Sequence, residues 1–406
     1  MLVLRNATVF SSPEIPPAQG ATVIVSGNRI KHAGTDKGVA YGADIVIDLK
    51  GRFVLPGFID AHVHFGGADN FDYPGISNRH ESYDFLKARY DALGWGVTTI
   101  RSAGDYTPEI FGFRDEVELG KVVSPRIVSA GRMFQAWGGH PMYTVFGSNE
   151  NMIKGCAVIV DDETDVEIEV KKLVGEGADW IKAFMAVVNK VSYNTPIPRI
   201  SPEKIKRIID AAHKHGKPCM IHVDNSLLMR EAAEAGADSI EHVFSVGATE
   251  TEIEDDLIEL LIKKQIFVVP TVQSIKAHEN PDGEMPLVYD KLISQVNKMI
   301  KAGVNIGVGT DAAIPFVPLG ESLHGELEQL VKCGMSPAQA IVAATSGNAR
   351  LLRKENELGS VLPGFLADLV VIDGDPLKDI TMTRNIYLVI MNGKIVVDNS
   401  PDCDTK

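Results

Sequence analysis

The chain has 406 residues, of which 45% are hydrophobic and 23% are charged, so it can bury a large core. Its 54 acidic residues outnumber its 40 basic residues, which gives a formal net charge of -14. Because such a surface repels phosphate backbones and anionic lipids, neither nucleic acid nor a membrane is expected as a partner. A chain of this length is expected to form one large domain with a smaller one attached.

The first ten residues alternate between apolar and polar side chains, as a β-strand does. They contain neither the basic start nor the long apolar stretch of a secretory signal, so a cytoplasmic protein is predicted. The four cysteines are far apart in the chain and show no Cys-x-x-Cys spacing. Reduced thiols are therefore expected.

The two ends of the chain resemble each other in composition. Residues 1–55 and 359–406 contain short apolar segments separated by turns, with Gly27-Asn28 and Asn392-Gly393 each lying between two apolar runs. Such pairs are typical of β-hairpins. We expect the two ends to combine in one small β-sandwich domain and residues 56–358 to form the other domain.

Between these ends, β-rich apolar segments alternate with segments of helical periodicity, which is typical of repeated βα units. Eight strands are predicted, at residues 57–64, 97–102, 126–130, 178–184, 218–223, 239–243, 266–272 and 304–310. Ser-Pro pairs at 201–202 and 336–337 predict helix starts. Eight strands with crossover helices predict an α/β fold of the (β/α)8 TIM barrel type, with its chemistry at the carboxyl ends of the strands. An open doubly wound sheet is the alternative, but no Gly-x-Gly-x-x-Gly motif opens a βα turn.

Polar residues end several of these predicted strands, where a packed core would contain Val, Ile or Leu. His62 and His64 lie two residues apart at the end of the first strand, so both side chains point to the same side and can bind one ion. The residues that end later strands in the same way are Lys182, His222, His242 and Asp311. Together these six side chains predict a metal site at the mouth of the barrel.

The sequence resembles the amidohydrolase superfamily, from Leu-Pro-Gly-Phe-Ile-Asp-Ala-His-Val-His at 55–64 to Gly-Ser-Val-Leu-Pro-Gly-Phe-Leu-Ala-Asp-Leu-Val-Val-Ile at 359–372. Within it, the chain is similar to the imidazolonepropionase-related group, which includes Xaa-Pro dipeptidases and metallo-carboxypeptidases. This resemblance implies a metal-dependent hydrolase with two divalent cations, zinc being the expected metal. It also implies that Lys182 carries a carbamate made with carbon dioxide and bridges both metals. His62, His64 and Asp311 would complete the first site, and His222 and His242 the second.

The chemistry of these residue types is consistent with that assignment. An ammonium group would be repelled by nearby cations, whereas a carbamate has two anionic oxygens that can span metals about 3.5–4 Å apart. A hydroxide shared by the cations is the expected nucleophile, and Asp311 is placed to take its proton and deliver it to the leaving amine. The expected substrate is a dipeptide, an N-acyl amino acid or a related small molecule.

Two further residues are candidates for contact with the substrate. His140 lies in Trp-Gly-Gly-His-Pro at 137–141, which resembles the Gly-Gly-His segment that this family places over the substrate carbonyl. The Pro141 that follows departs from the usual pattern. Arg101 ends the second strand and could either pair with a substrate carboxylate or support the metal ligands. Residues 223–226, Val-Asp-Asn-Ser, also depart from the group, so proline specificity does not follow from the resemblance.

Two alternatives stay open. The same barrel can hydrolyse cyclic amides or deaminate heterocycles, because loops and not the fold select the substrate. Lys182 favours two metals, whereas many deaminases of the superfamily use one metal and lack the lysine. A non-catalytic barrel scaffold would belong to another class of function, and the six intact ligand positions speak against it. The remaining histidines, including His324, are assigned structural roles, and the oligomeric state is left open, with a homo-oligomer among the options.

Overall fold

The computed structural model describes residues 1–11, 15–35, 42–65, 85–146, 149–187, 196–243, 252–278, 285–314 and 316–401. The strands in these ranges are β1 (Leu2–Val9), β2 (Ala18–Ser26), β3 (Arg29–Gly34), β4 (Ile45–Asp48), β5 (Phe53–Pro56), β6 (Phe58–Val63), β7 (Val97–Ser102), β8 (Arg126–Ser129), β9 (Met133–Ala136), β10 (Ala157–Val160), β11 (Ile181–Phe184), β12 (Cys219–His222), β13 (Ser239–Glu241), β14 (Phe267–Val269), β15 (Asn305–Ile306), β16 (Leu369–Ile372), β17 (Ile386–Met391) and β18 (Lys394–Asp398). The helices are α1 (Phe85–Gly94), α2 (Glu109–Glu118), α3 (Glu150–Cys156), α4 (Val166–Glu176), α5 (Pro202–Lys214), α6 (Ser226–Ala235), α7 (Asp255–Lys263), α8 (Val272–Ala277), α9 (Met285–Ala302), α10 (Glu321–Lys332), α11 (Pro337–Val342) and α12 (Asn348–Leu351).

The two ends of the chain combine in one eight-stranded sheet, as the sequence predicted. Its strands follow the order β18-β17-β16-β5-β1-β2-β3, and β4 pairs with β1. Both predicted hairpins are present, as β2–β3 and β17–β18. Their turn glycines, Gly27 and Gly393, have φ values of 60 and 75, a backbone conformation that residues with a side chain rarely adopt. The topology is that of one continuous sheet, and the β-sandwich stays a prediction.

All eight strands predicted for the middle of the chain are present, as β6, β7, β8, β11, β12, β13, β14 and β15. Two more, β9 and β10, were not predicted. Gly131, at φ 64, bends the chain between β8, which matches the predicted strand at 126–130, and β9, which lies beyond it. A side chain at this glycine would also approach Phe111 to 2.5 Å. The bend therefore depends on a position where only glycine fits.

The middle strands form two parallel sheets, one of seven strands in the order β10-β9-β11-β12-β13-β14-β15 and one of three strands in the order β6-β7-β8. Backbone hydrogen bonds join them at both edges. Ala61 N donates to Val308 O at 2.9 Å beyond β15, and Asp179 N donates to Ser129 O at 2.8 Å before β11. Because neighbouring strands are parallel, their carboxyl ends lie on one face, where the polar residues were predicted to meet.

The helices pack their apolar faces against the parallel strands. In α5, for example, Ile205, Ile208 and Ile209 are buried. Ser201 caps this helix by accepting a hydrogen bond from Lys204 N, so the predicted helix start is confirmed. The second predicted start, at 336–337, is confirmed by a capping box at the beginning of α11.

Among the described helices, none combines the length and the apolar character that a bilayer crossing requires. Three of the four cysteines lie in the described ranges, and all three are buried and unbridged: Cys156, Cys219 and Cys333. The expectation of reduced thiols is met for these three, while Cys403 lies outside the described residues.

Candidate metal centre

Three side chains from the end of β6 and the chain after β15 form a compact group. The Nε2 atoms of His62 and His64 each lie 3.4 Å from Oδ1 of Asp311, and the donor atoms of all three residues lie within 4.8 Å of one another. Two donors that bind one zinc ion at about 2.0–2.1 Å with tetrahedral geometry are about 3.4 Å apart. The spacing of this group therefore suits one divalent cation.

The other ring nitrogen of each histidine faces a hydrogen-bond acceptor. Nδ1 of His62 lies 2.5 Å from Oε2 of Glu241, and Nδ1 of His64 lies 2.9 Å from the backbone oxygen of Gly104. When Nδ1 donates its proton in this way, Nε2 carries the lone pair that binds a metal. Both rings are thus oriented with their metal-binding nitrogen toward Asp311.

Glu241 is in turn held by Arg101. The buried guanidinium of Arg101 donates to Oε1 of Glu241 at 2.8 Å and to Oγ of Ser239 at 2.9 Å, and it lies 4.5 Å from the ring centre of Trp180. Burial alone would raise the pKa of the Glu241 carboxyl, but the charges of Arg101 and His62 lower this pKa to about 2. Of the two roles that the sequence left open for Arg101, these contacts correspond to support of the metal ligands.

Asp311 is ionised at neutral pH in this setting. Burial alone would raise its pKa, but the close contacts with the rings of His62 and His64 lower the pKa well below the usual range of a carboxyl. Asp311, His242 and Thr271 have φ values of 61, 73 and 49, which is the left-handed region. Residues other than glycine adopt this backbone conformation at a cost on the order of 1–3 kcal/mol, and such residues concentrate at active sites.

The distance between His62 and Asp311 is fixed by the way β6 meets the chain after β15. The carboxylate of Asp60 accepts two hydrogen bonds from Thr310, one from Oγ1 at 2.7 Å and one from the backbone N of Thr310 at 3.1 Å. A Cβ atom at Gly309 would come within 2.6 Å of the Cβ atom of His62. Only glycine at this position therefore lets the two segments approach closely enough for His62 and Asp311 to contact the same cation.

His222 and His242 continue the group along the strand ends. Their ring centres are 4.5 Å apart, and the ring of His242 is 4.9 Å from that of His62. Nδ1 of His242 lies 2.7 Å from Oγ1 of Thr271, and Nε2 of His222 lies 3.2 Å from Oδ1 of Asp224. The imidazole rings thus form a continuous series from the first group to the end of β12.

The side chain of Lys182 lies near His222 and His242, but its backbone is further from the carboxyl ends of the strands than theirs. Its register partner is Met220, two residues before His222. The long side chain is fully buried and brings Nζ to 4.9 Å from the ring centre of Phe184, which is itself 4.8 Å from the ring of His222. Burial disfavours the charged form of an amine. The amine nitrogen lies inside the protein, next to the aromatic ring that packs on His222.

His140 also reaches this part of the centre. It lies in the chain after β9, and its ring centre is 4.9 Å from that of His222 and 5.3 Å from that of Phe184. An imidazole N–H here would lie beside the second pair of histidines. The structure therefore places His140 beside the candidate ligand His222, and its contact with a substrate carbonyl stays a prediction.

Three residues that hold the ligands were not singled out from the sequence: Glu241, Thr271 and Asp224. A signal was present for two of them, because Glu241 directly precedes His242 and Asp224 follows His222 by two residues. Thr271 gave no such signal, because it lies 29 residues from the histidine that it holds.

Comparisons with known proteins agree on one family. Residues 53–396 match the model of the amidohydrolase family. The ochratoxinase of Aspergillus niger is 27% identical over 395 residues, covering 90% of this chain and 79% of the relative. A 5-methylthioadenosine/S-adenosylhomocysteine deaminase of Caldanaerobacter subterraneus is 24% identical over 462 residues, covering 98% and 93%.

Among solved structures, a Xaa-Pro dipeptidase with methionine bound in its active site superposes with a TM-score of 0.81. It is 27% identical, and the match covers 97% of this chain and 99% of the dipeptidase. The fold is therefore the α/β fold of amidohydrolase structures, which is of the TIM barrel type. The resemblance noted from the sequence is confirmed at the level of the family.

Proposed function

Because the chain belongs to the amidohydrolase family, we propose that it is a binuclear metal-dependent hydrolase of amide bonds. The observation that carries this proposal is the continuous series of ligand-type side chains at one end of the parallel strands. The first cation would be held by His62, His64 and Asp311, the second by His222 and His242, and Lys182 would bridge the two. Zinc suits these nitrogen and carboxylate donors, as do manganese, cobalt and iron.

We also take eight of the ten strands in the two parallel sheets to form one closed barrel, namely β6, β7, β8, β11, β12, β13, β14 and β15. The hydrogen bonds that join the two sheets at both edges support this, since they leave β6 beside the chain after β15 and β8 beside the chain before β11. In a barrel of this kind the catalytic residues come from the carboxyl ends of several strands. The candidate ligands follow that rule.

Lys182 meets the chemical requirement for carboxylation. A neutral amine nitrogen forms a bond to the carbon of carbon dioxide and loses one proton, which gives a carbamate anion. Its burial favours the neutral amine that this reaction needs. The product would replace a cation among the ligands by an anion with two oxygen donors, and this would remove the repulsion that an ammonium group exerts on a metal pair.

The chain's own residues would then move the protons of the reaction. Two divalent cations, when bound, supply Lewis acidity and lower the pKa of a water molecule toward neutrality. Asp311 is an ionised carboxylate among the ligands, so it can accept the proton of the attacking water and pass it to the nitrogen of the leaving amine. His140, beside His222, can donate an N–H hydrogen bond to the carbonyl oxygen as negative charge develops there.

For the substrate, we propose a dipeptide or an N-acyl amino acid. The similarity to a Xaa-Pro dipeptidase across 97% of this chain supports a small substrate with an amide bond next to an amino acid. Residues 223–226 would lie beside the leaving group of the substrate. Their sequence departs from that of the imidazolonepropionase-related enzymes, which argues for a different side-chain preference. The loops that follow the strands select the substrate in such folds.

The test is a metal analysis combined with a substrate screen. Protein reconstituted with zinc and bicarbonate is expected to contain about two equivalents of metal and to hydrolyse at least one member of a library of Xaa-Yaa dipeptides and N-acyl amino acids. The matched control is the Asp311→Asn variant, which should retain metal but lose turnover. Two equivalents of metal without any turnover, together with a partner protein that co-purifies stoichiometrically, would favour the alternative of a non-catalytic barrel scaffold.

Deamination of a heterocycle, or hydrolysis of a cyclic amide, is the second candidate because of the deaminase relative. Deamination predicts about one equivalent of metal, an unmodified Lys182 detected by mass spectrometry, and release of ammonia from purine analogues. That combination of results would replace the binuclear proposal.

A further inference from the structure

A cavity of about 760 Å³ lies at the end of the parallel strands opposite the candidate metal centre. It is lined by residues at or just before the starts of β8, β11 and β12, namely Arg126, Trp180 and Pro218. Asn28 and Asn392, from the two hairpin turns of the chain-end sheet, close its other side. The cavity therefore lies between the parallel strands and the sheet formed by the chain ends, and it shares no lining residue with the candidate ligands.

Part of the inner wall of this cavity is apolar. Trp180, Leu352, Leu358 and Leu366 line it and are buried. Thr99 also lines the cavity and is 1% exposed, and its hydroxyl, which makes no hydrogen bond with any described residue, is itself covered and offers no surface to a ligand.

Several charged residues at the rim are already paired. Arg126 lies 2.8 Å from Asp368, Arg353 lies 2.7 Å from Asp238, and the lining residue Asp179 lies 2.8 Å from Arg114. These pairs largely cancel one another's fields at the cavity mouth. The charge that a ligand would meet is therefore set by the remaining ionisable residues.

The remaining charges are mainly positive. Lys217, Lys354 and Lys394 line the cavity and make no ion pair with the residues that the structure describes, whereas Glu118 is the corresponding acidic residue. Three such lysines against one glutamate contrast with the chain as a whole, whose net charge is -14. A local positive field in an otherwise acidic protein attracts anions.

We propose that this cavity is a binding site for a small amphipathic anion, a monocarboxylate with an apolar chain or ring. The apolar body would pack against Trp180 and the leucines, and the carboxylate would remain at the mouth beside Lys217 and Lys354. The volume is within the range of about 300–1,000 Å³ that small-molecule sites usually have. The apolar part of the wall disfavours a second charge on the body of the ligand, because that charge would lose its hydration there without compensation.

The probe is octanoate, titrated calorimetrically into the full-length protein, with octylamine and octanol as cationic and neutral comparators of the same length. Octanoate is expected to bind most tightly, and the double variant Lys217→Glu/Lys354→Glu is expected to weaken its binding by about tenfold or more. The matched control is Lys171→Glu/Lys301→Glu, which reverses two exposed lysines outside the cavity and should bind octanoate as the parent does.

A second variant reports where the ligand binds. Trp180, one of three tryptophans in the chain, should report occupancy by a fluorescence change that Trp180→Phe abolishes.

Binding of octylamine as tight as that of octanoate would overturn the proposal. So would octanoate binding that the lysine reversals leave unchanged, since this would place the ligand elsewhere, for example at the metal centre. Because neither measurement involves hydrolysis, failure here leaves the proposed amide hydrolysis untouched, and failure of that function leaves the titration interpretable.

Discussion

The two halves of the candidate metal centre are held by different kinds of interaction. In the first half, His62 is oriented by the carboxylate of Glu241, which is itself paired with the buried guanidinium of Arg101. In the second half, His242 is oriented by the hydroxyl of Thr271, and the ring of His222 packs 4.8 Å from that of Phe184. In the first half a buried carboxylate–guanidinium pair thus orients His62, whereas in the second half His242 depends on a neutral hydroxyl and His222 on the carboxylate of Asp224 and on aromatic contact.

This difference predicts different responses to substitution. Hydrogen bonds between ionised groups are roughly twice as strong as those between neutral groups, so the ligands of the first half should be in place before a metal arrives. The second half also needs a chemical step, the carboxylation of Lys182. We therefore expect the first site to bind its cation more tightly, and the following substitutions test that ranking.

The largest effect on catalysis is expected for Asp311→Asn. The amide cannot accept a proton, so kcat should fall by about 10³-fold or more, while much of the metal is retained by the remaining ligands. The measurements are kcat on the substrate found by screening and metal content by elemental analysis. Asp210→Asn, at an exposed helix position, is the control with unchanged turnover. Near-normal turnover of Asp311→Asn would remove this residue from its proposed role.

The next largest effect is expected for Lys182→Ala, and it should fall on the second half. Without the bridging carbamate, at least one of the two equivalents of metal should be lost, together with most of the activity. Elemental analysis of Lys182→Ala beside Lys171→Ala, an exposed lysine in α4, measures this directly. Retention of both equivalents would mean that Lys182 is not a ligand.

A direct comparison of the two halves comes from the residues that orient the histidines. Glu241→Gln should weaken the affinity of the first site for metal by about 10–100-fold, because the anion that fixes His62 is lost. Thr271→Val should weaken the second site by less, about tenfold or below, because it removes one neutral hydrogen bond. Competition with a chelator measures both affinities, and Glu241→Asp should recover part of the loss. Equal losses in the two variants would contradict the ranking.

Much of this architecture follows from the sequence because it is encoded locally. A polar residue at the end of an apolar strand is visible without coordinates, and this pattern yielded the six candidate ligands. The hairpin turns and the two Ser-Pro helix starts are equally local. The strand pair β9 and β10 escaped prediction because it depends on a bend at Gly131, where a side chain would clash with Phe111.

The supporting residues escaped prediction for a different reason. Glu241 contacts Arg101 across 140 residues of chain, and the buried Asn348 donates to the backbone of Ile59 across 289 residues. No pattern within a short window marks such pairs, because their partners meet only after the strands have assembled. The cavity at the opposite end is similar, since its walls come from both chain ends and the parallel strands.

A smaller effect is expected at His324, a buried histidine outside both halves that serves as a reference for a structural role. Its Nε2 lies 3.0 Å from the backbone oxygen of Trp95, and its Nδ1 lies 3.0 Å from Oγ1 of Thr383. Burial lowers the pKa of this imidazole to about 4. The ring is therefore neutral in the folded protein at pH values where an unfolded chain, with a histidine pKa of about 6.5, already takes up a proton.

The sign of the pH dependence follows from that difference. The unfolded state binds the extra proton between pH 6.5 and pH 4, so the free energy of unfolding is highest above pH 6.5 and decreases as the pH falls through this range, by on the order of 3 kcal/mol at most. His324→Gln should remove this part of the slope, as measured by urea denaturation of both proteins at pH 7.5 and pH 5. The metal-site histidines titrate in both proteins, so their contribution cancels in the comparison. An unchanged slope in the variant would show that His324 does not resist protonation, and buried position alone would then not distinguish structural histidines from ligands in this chain.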